Sequence, residues 1–349
     1  MGHRAHARRT ALTEAVLAAT LSAALSAGCS GDSRDDGRSP HPSTLPSPAL
    51  PSPALPSPHR STAAGSPLAV KIDNVPAARP QTGLAAADVV YVEPVEGGLS
   101  RLMAVYATKL PETVGPVRSA RESDLELLRQ FHRPTLAFSG ARRGLLPLID
   151  QAPLRARSPD QVPGAYHRGT AEPAPHNLYL RPAALLPAAP GEAALTTGFR
   201  YGPLPPGGTP VTERTVRYPA ARFTFTWSAG RGGWLVAMDG DAAVTREPAT
   251  AGTDPTGTAA AGQGRLAPAT VVVQYVEIRT SRYHDVLGNH TPYPVTVGSG
   301  EAEVLRDGRS FDASWSRPAA TDGTAFTAAD GSPLDFAAGQ VWVVLAPAT

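Results

Sequence analysis

The sequence predicts an α+β protein in which a mixed α/β domain is followed by a mainly β domain. Apolar residues make up 42% of the 349-residue chain, which is enough for a buried core. Strand-like and helix-like patterns are mixed over residues 68–205, which favours an α/β or α+β arrangement. From about Thr209 the pattern changes to short alternating stretches between Gly and Asp turns. We therefore assign residues 68–205 to the first domain and 206–349 to the second.

The first 28 residues have the features of a secretory signal. A positively charged start precedes residues 15–27, an apolar or small-residue stretch that is too short for a stable membrane span. The leader ends in Leu-Ser-Ala-Gly-Cys at 25–29, which resembles the bacterial lipobox, whose cysteine receives acyl chains such as palmitate. We predict that 1–28 is a lipoprotein signal peptide and that Cys29 is lipidated on the extracytoplasmic face of the cell membrane. The alternative is an ordinary signal peptide or an uncleaved tail, in which Cys29 has no role.

Residues 29–67 are too rich in proline and serine to build a core. The unit Leu-Pro-Ser-Pro-Ala at 45–49 recurs at 50–54 and, with one change, at 55–59. Alternating prolines favour an extended polyproline II spacer. About 30 residues at roughly 3.1 Å each would reach on the order of 90 Å. We predict a disordered tether between the membrane and the folded domains.

Charge and cysteine content exclude several classes of partner and site. The formal net charge of +2 falls to zero when the leader, with three arginines and one glutamate, is removed. A neutral mature chain gives no reason to expect nucleic acid. Cys29 is the only cysteine, so no intramolecular disulfide can form, and a structural zinc site is not expected. No glycine-rich phosphate loop is present, and we predict neither a cofactor nor a metal.

The first domain is predicted to combine strands and helices. The run Leu-Ala-Val-Lys-Ile at 68–72 is typical of a buried strand that ends in a polar turn. Ser119 with Glu122 fits a capping box at the start of a helix. The apolar patterns predict strands over 68–74, 88–95, 99–108 and 135–139, and a second helix over 142–151.

The second domain is predicted to be all β. Phe-Thr-Phe-Thr-Trp at 223–227 alternates strictly and is followed by a Gly-rich turn and an apolar stretch at 234–238, which indicates a hairpin. A polar insertion at 252–264 is predicted to be a mobile loop. Further short strands are predicted at 270–278, 294–297, 301–306, 310–315 and 340–345.

An ordered set of motifs resembles the YerB-like bacterial lipoproteins, a family whose domain of unknown function is numbered 3048. The N-terminal motifs are Ile-Asp-Asn at 72–74, Arg-Pro-Gln-x-Gly-Leu at 79–84, Ala-Asp-Val-Val-Tyr at 87–91, Val-Glu-Gly-Gly at 95–98, Gly-Pro-Val-Arg-Ser-Ala-Arg at 115–121 and Pro-His-Asn-Leu-Tyr at 175–179. Val-Gly-x-Gly at 297–300, Arg-Asp-Gly at 306–308, Trp315 and Gly-Gln-Val-Trp at 339–342 resemble its C-terminal module. The resemblance implies a two-domain envelope lipoprotein and supplies no catalytic residue.

The segment 115–121 is the first candidate site. A Gly-Pro turn is predicted to deliver Arg118 and Arg121 to the first turn of a helix, where cations oppose the helix dipole. A bound anion would reverse that penalty, because amide N–H groups and two guanidinium groups would donate to it. The alternative is that acidic neighbours such as Glu122 or Glu96 neutralise both arginines in structural salt bridges.

Other polar residues are predicted to lie at the ends of strands or in a loop. Glu93, Glu96 and Arg101 flank a Gly-Gly turn, where two carboxylates could act as acid and base or hold a divalent metal. They could equally cap the strand ends and pair with arginine. Asp73 and Asn74 end the first strand, where ligand sites are common, although a simple turn explains them as well. His176 and Asn177 could orient a ligand or pack within their loop.

These residues support three functional hypotheses. The first is a binding protein for an anionic cell-wall component or an envelope partner. The second is an enzyme acting on phosphate-linked wall intermediates, in which Arg118, Arg121 and Arg101 clamp pyrophosphate and Asp73 or Glu93 holds Mg²⁺ or acts as a base. The third is a structural or assembly lipoprotein. Convergence of the charged candidates in one pocket would favour the first two hypotheses, whereas dispersed, locally ion-paired positions would exclude both and leave the third. The residues that decide this are Asp73, Glu93, Glu96, Arg118, Arg121 and His176.

Overall fold

Most of the folded chain is arranged as β-strands in the computed structural model, which describes residues 65–246, 263–285 and 287–348. These residues all belong to one compact unit, Arg60–Thr349. The predicted signal peptide, Cys29 and the tether up to residue 64 lie outside the described residues. So do residues 252–262 of the predicted loop, and its last residues begin a strand, Gln263–Arg265.

Short strands and two short helices follow one another in the N-terminal part. In chain order they are β1 (Leu68–Asp73), β2 (Gln81–Thr82), β3 (Val89–Pro94), β4 (Ser100–Tyr106), α1 (Glu122–Leu128), β5 (Thr135–Ala137), α2 (Leu146–Gln151), β6 (Arg155–Arg157), β7 (Tyr166–Arg168) and β8 (Leu178–Leu180).

Longer strands form the C-terminal part. They are β9 (Thr209–Pro210), β10 (Glu213–Tyr218), β11 (Ala221–Ser228), β12 (Gly233–Met238), β13 (Asp241–Ala242), β14 (Val244–Arg246), β15 (Gln263–Arg265), β16 (Thr270–Val276), β17 (Ile278–His284), β18 (His290–Pro294), β19 (Gly298–Arg306), β20 (Arg309–Arg317), β21 (Ala325–Ala328) and β22 (Val341–Pro347).

One large sheet takes strands from both parts of the chain. Its order is β21-β20-β19-β16-β22-β3-β4-β1-β5-β6, with β9 paired to the outer side of β20. The last strand, β22, lies between β16 and β3 and runs parallel to both. A four-stranded sheet, β10-β11-β12-β13, and three smaller sheets complete the described strands. The halves of the sequence are thus joined by backbone hydrogen bonds at the centre of the molecule.

The central strands are buried on both faces, which explains their apolar sequences. Alternate residues of β4 enter two different hydrophobic clusters, because successive side chains on a strand point to opposite faces. Leu102 and Ala104 join the cluster that contains Trp234 and Trp342. Met103 and Val105 join the other cluster, on the face covered by α1.

Most of the predicted strands are confirmed, and the C-terminal part is mainly β as predicted. The hairpin of β11 and β12 has the expected register, with Trp227 opposite Trp234. A strand over 294–297 is wrong, because β18 ends at Pro294 and β19 begins at Gly298. Within residues 68–205, which the structure describes in full, α-helix is confined to α1 and α2. The boundary between 68–205 and 206–349 stays a prediction.

The predicted capping box is displaced by two residues. The helix begins at Glu122 with Arg121 as its N-cap residue, and the Arg121 N–H donates to Oδ2 of Asp124 at 2.7 Å. Ser119 does not cap the helix; its hydroxyl lies 3.5 Å from that of Ser139. Asp124 takes over the capping role because its carboxylate accepts the first free N–H of the helix. Arg118 therefore precedes the helix rather than lying in its first turn.

Candidate functional site

Charged side chains meet at one edge of the large sheet, where β1 and β3 end and β4 begins. Asp73 is opposite Arg101, and Arg101 is opposite Glu93, so the three share one rung and one face of the sheet. Lys71 precedes Asp73 by two residues and lies on the same face. The antiparallel placement of β4 between β1 and β3 is what brings these sequence-distant residues together.

Lys71, Glu93 and Asp124 form a fully buried group. Nζ of Lys71 lies 2.8 Å from Oε1 of Glu93 and 2.7 Å from Oδ1 of Asp124, and no member is more than 1% exposed. Burial raises the pKa of Glu93 to about 8, although the Lys71 ammonium opposes the rise. Glu93 was predicted either to join Glu96 and Arg101 in a site or to pair with arginine at a strand end; instead it lies beneath α1 and pairs with Lys71.

The carboxylate of Asp73 contacts the side chains of His176 and Arg118. Its Oδ2 lies 2.8 Å from Nδ1 of His176 and 3.1 Å from Nε of Arg118. Asp73 is 1% exposed, while the side chains of His176 and Arg118 are 19% and 25% exposed. The backbone N–H of Arg118 donates to the Lys71 carbonyl at 2.7 Å, which fixes the segment before α1 against β1. Asp73 thus anchors two groups that themselves reach the surface.

Glu96 and Arg121 form a separate ion pair at the same edge. Nη2 of Arg121 lies 2.7 Å from Oε2 of Glu96, and the Thr291 hydroxyl donates to Oε1. Burial acts to raise the pKa of Glu96, but the hydrogen bonds from Arg121 and Thr291 outweigh it and hold the pKa below its usual range. Arg101 donates to the Ser119 carbonyl at 3.1 Å, and its burial, with Arg121 nearby, lowers its pKa to about 9.

Asn74 and Asn177, the two asparagines among the predicted site residues, form hydrogen bonds that connect loops and strands. Asn74 is 2% exposed and donates to the Ser100 hydroxyl at 2.9 Å, while its oxygen accepts from Gln81 at 2.9 Å. Asn177 accepts from Nη1 of Arg168 at 2.7 Å and donates to a backbone carbonyl. Both amides are satisfied within the protein, which is the arrangement expected of structural residues.

A pocket of about 510 Å³ opens beside Arg118. The other lining residues with polar or titratable groups are Ser139, Asp160, Tyr166, His167 and Arg168. Ser139 follows β5, and its N–H donates to the Arg118 carbonyl at 3.0 Å. Tyr166–Arg168 is the strand β7, so three consecutive residues of one strand contribute to the pocket.

Two polar atoms at this pocket are buried without a hydrogen-bond partner. They are Nε of Arg118, whose N–H is not aligned with the nearby Asp73 oxygen, and Nδ1 of His167. Within the described residues, no acceptor for the Arg118 guanidinium meets hydrogen-bond geometry. Burial, and then the charge of Arg181, lowers the pKa of His167, which favours a neutral ring. Unsatisfied buried polar atoms are rare in proteins, and each calls for an explanation such as a water molecule, an ion or a ligand.

The charged candidates therefore do not converge in one pocket, so a site built from these six residues is not supported; the pocket instead combines Arg118 with His167 and Arg168, which were not among the candidates. Arg118 is the one candidate that lines it. The others belong to ion-paired groups behind or beside it: Asp73, Glu93, Glu96, Arg121 and His176. The clamp of two or three arginines is not assembled, because Arg121 is held by Glu96 and Arg101 is turned to a backbone carbonyl.

Sequence reasoning missed residues that line the pocket or support it. Lys71 had a visible signal, since it is one of only two lysines in the chain and lies in an otherwise apolar strand. His167 and Arg168 had none, because they come together with Arg118 only through the pairing of β7 with β8. Among the described residues, no group of three or more His, Cys, Asp or Glu could hold a metal ion.

Comparison with known proteins gives the family. Residues 54–195 match the model of the N-terminal domain of a protein of unknown function, DUF3048, and residues 214–343 match the model of its C-terminal domain. The chain belongs to this family. The resemblance drawn from the ordered motifs is thereby confirmed.

A relative and a solved structure agree with this assignment. The chain is 49% identical over 65 residues to a protein named "Putative lipoprotein YerB" from Bacillus subtilis (strain 168). That stretch covers 19% of this chain and only 20% of the relative. The crystal structure of YerB protein from Bacillus subtilis superimposes with a TM-score of 0.61 at 21% identity, over 81% of this chain and 91% of that one. At this identity the structural match establishes the fold alone.

Within the described residues, no helix is long and apolar enough to cross a membrane.

Proposed function

We propose that this protein is a lipid-anchored lipoprotein of the bacterial cell envelope that binds an anionic ligand in the pocket beside Arg118. The ligand class is a phosphate-bearing or carboxylate-bearing component of the cell wall. The single observation that carries the proposal is the Arg118 guanidinium: it borders the pocket, and its ion pair with Asp73, at 3.1 Å from Nε, leaves it without an aligned hydrogen bond to the described protein residues.

The anchor is inferred from the leader and from the relative. Cys29 follows a lipobox-like sequence and is the only cysteine of the chain. The matched relative is named as a lipoprotein. Several acyl chains would hold the protein durably on the extracytoplasmic face of the membrane, where a single chain would not. The proline-rich segment that follows would hold the folded domains away from the membrane surface.

The chemistry of the pocket favours an anion. Asp73 and the backbone carbonyl of Lys71 fix Arg118 from behind, so the guanidinium is pre-oriented before a ligand arrives. His167 adds a neutral ring nitrogen that can donate, and Arg168 adds a second positive charge. Arginine presents a planar fork of donors that matches phosphate or carboxylate oxygens. Asp160 also lines the pocket and supplies one opposing charge, which would favour a ligand that carries a cationic or hydroxyl group as well.

Thermal unfolding of the chain from Arg60 onward against a panel of envelope anions tests this proposal. The panel contains pyrophosphate, muropeptides and polyprenyl-phosphate mimics, with and without Mg²⁺. A ligand at one hundred times its dissociation constant stabilises the folded state by about 2.7 kcal/mol, and so raises the midpoint. We expect at least one anion to raise it and Arg118→Gln to abolish the shift.

Arg231→Gln is the matched control, because Arg231 is exposed in the turn between β11 and β12, away from the pocket. It should retain the full shift. No shift with any anion, or a shift that persists in Arg118→Gln, would contradict the proposal and favour a scaffold role. Analysis of the recovered ligand for cleavage products would reveal turnover if the protein is an enzyme.

A further inference from the structure

Lys71, Glu93 and Asp124 form a group that the proposed anion site does not use. The three side chains come from β1, β3 and α1, and none is more than 1% exposed. Lys71 Nζ is in contact with one oxygen of each carboxylate, at 2.8 Å and 2.7 Å. One amine is thus enclosed with two carboxyl groups and no access to water.

The burial of this group acts on the ionisation of Glu93. Removing ions from water is costly, and two carboxylates with one ammonium leave an uncompensated negative charge. The pKa of Glu93 is raised to about 8 by burial and by the neighbouring Asp124, against the effect of Lys71. Glu93 therefore exchanges its proton close to neutral pH, as a general acid and base must.

Asp124 has the geometry of the acceptor carboxyl group. Its Oδ1 faces Nζ of Lys71, and its Oδ2 accepts the backbone N–H of Arg121 at 2.7 Å. That N–H would stabilise negative charge on Oδ2 when the amine adds to the carboxyl carbon, in the manner of an oxyanion hole. Holding the two reactants in fixed contact removes most of the entropic cost of bringing them together.

Glu93 has the geometry of the proton carrier. Its Oε1 lies 2.8 Å from Nζ, and the Ser123 hydroxyl is 3.5 Å from its other oxygen. A carboxyl group in contact with the amine can take a proton from Nζ and return it to the oxygen that leaves.

We propose that Lys71 and Asp124 become joined by an intramolecular amide bond, with Glu93 as the general acid and base. The ammonium of Lys71 first passes a proton to Asp124. The free amine then adds to Cγ, the Glu93 carboxylate takes a proton from the nitrogen, and that proton passes to the hydroxyl oxygen Oδ1, so Glu93 ends as the carboxylate it was. The N–C bond forms, the C–Oδ1 bond breaks, and one water molecule leaves. Nothing is oxidised or reduced, so no co-reactant is required.

The bond would fasten α1 to the central strand β1, across 53 residues of sequence. Cys29 is the only cysteine, so a disulfide cannot serve this purpose. An amide would give a permanent covalent tie that is insensitive to the redox state of the surroundings. It would also fix the position of the residues just before α1, where the Arg118 N–H donates to the Lys71 carbonyl.

Peptide mapping of the purified, denatured full chain tests the bond directly. Trypsin does not cut before Pro80, so cleavage after Lys71 separates residues 61–71 from 72–101, and Asp124 lies in the peptide Glu122–Arg129. We expect the free 122–129 peptide to be missing and cleavage after Lys71 to be blocked. In their place, mass spectrometry should find 61–101 joined to 122–129, lighter than their sum by one water molecule.

Recovery of the 122–129 peptide in the same molar amount as other tryptic peptides would overturn the proposal. So would a bond from Lys71 to Glu93, which leaves the 122–129 peptide free. Glu93→Gln should restore the free peptide by removing the proton carrier. Asp124→Asn should keep the link, but with loss of ammonia in place of water. Lys109→Arg is the matched control, since Lys109 is exposed and the link should persist.

Discussion

The carboxylate of Asp73 is the group whose loss should disturb the site most. It is 1% exposed, and one of its oxygens lies 2.8 Å from His176 and 3.1 Å from Arg118. Asp73→Asn keeps the size of the side chain but removes its charge. A hydrogen bond to a charged group contributes about 1.5–3 kcal/mol, and breaking a buried pair costs about 3–5 kcal/mol. Because Arg118 and His176 can turn toward water, we expect a loss of about 2–3 kcal/mol.

Urea unfolding of the wild type and Asp73→Asn measures this loss as a change in midpoint at a constant slope. Asp150→Asn is the control, because Asp150 is exposed at the end of α2 and its substitution should stay within about 0.5 kcal/mol of the wild type. If Asp73→Asn were as stable as this control, Asp73 would not anchor its two partners, and the account of a pre-oriented Arg118 would be refuted.

Three further predictions concern the turn beside the site, the core and pH. In urea unfolding, Gly98→Ala should destabilise the protein more than Gly97→Ala. Both glycines have a left-handed backbone, in which a side chain costs about 1–2 kcal/mol. Only at Gly98 would the new Cβ also clash with Pro219, at 2.6 Å. Equal losses would contradict the clash. Trp342→Ala should cost about 3–5 kcal/mol by the same assay, because Trp342 is fully buried, and a smaller loss would place it outside the core. Burial lowers the pKa of His167, so below about pH 6.5 the unfolded chain binds more protons, and stability should rise with pH through that range. In His167→Gln the melting temperature should rise less steeply with pH over this range. The same slope in wild type and variant would contradict the role of His167.

Much of the strand content could be predicted because buried strands have apolar or alternating sequences that are visible among neighbouring residues. The apolar run that begins at Leu68 and the alternation over 223–227 are properties of neighbouring residues, and both became strands. Which strands pair with one another is not visible in such local patterns. Insertion of β22 between β16 and β3 depends on packing across the whole chain, which local periodicity does not encode.

The candidate site was predicted in part for the same reason. Asp73 stands out because a carboxylate directly follows a buried run, and Arg118 because it follows a tight turn. The burial of Glu93 could not be predicted, because its sequence neighbours do not reveal that α1 covers it. Lys71 supplies the compensating charge, and its significance becomes visible only when Asp124 is placed 2.7 Å away. The pocket beside Arg118 could not be predicted, because its walls come from separate loops and strands.

Calorimetric titration of the chain with a pyrophosphate-bearing wall intermediate tests the central claim most directly, namely that Arg118 binds an anion. The account predicts saturable binding at one site. Arg118→Gln should weaken it about 10- to 100-fold, since a hydrogen bond to a charged group is worth about 1.5–3 kcal/mol. Absence of binding across the anion panel, or binding of equal strength in wild type and Arg118→Gln, would contradict the account.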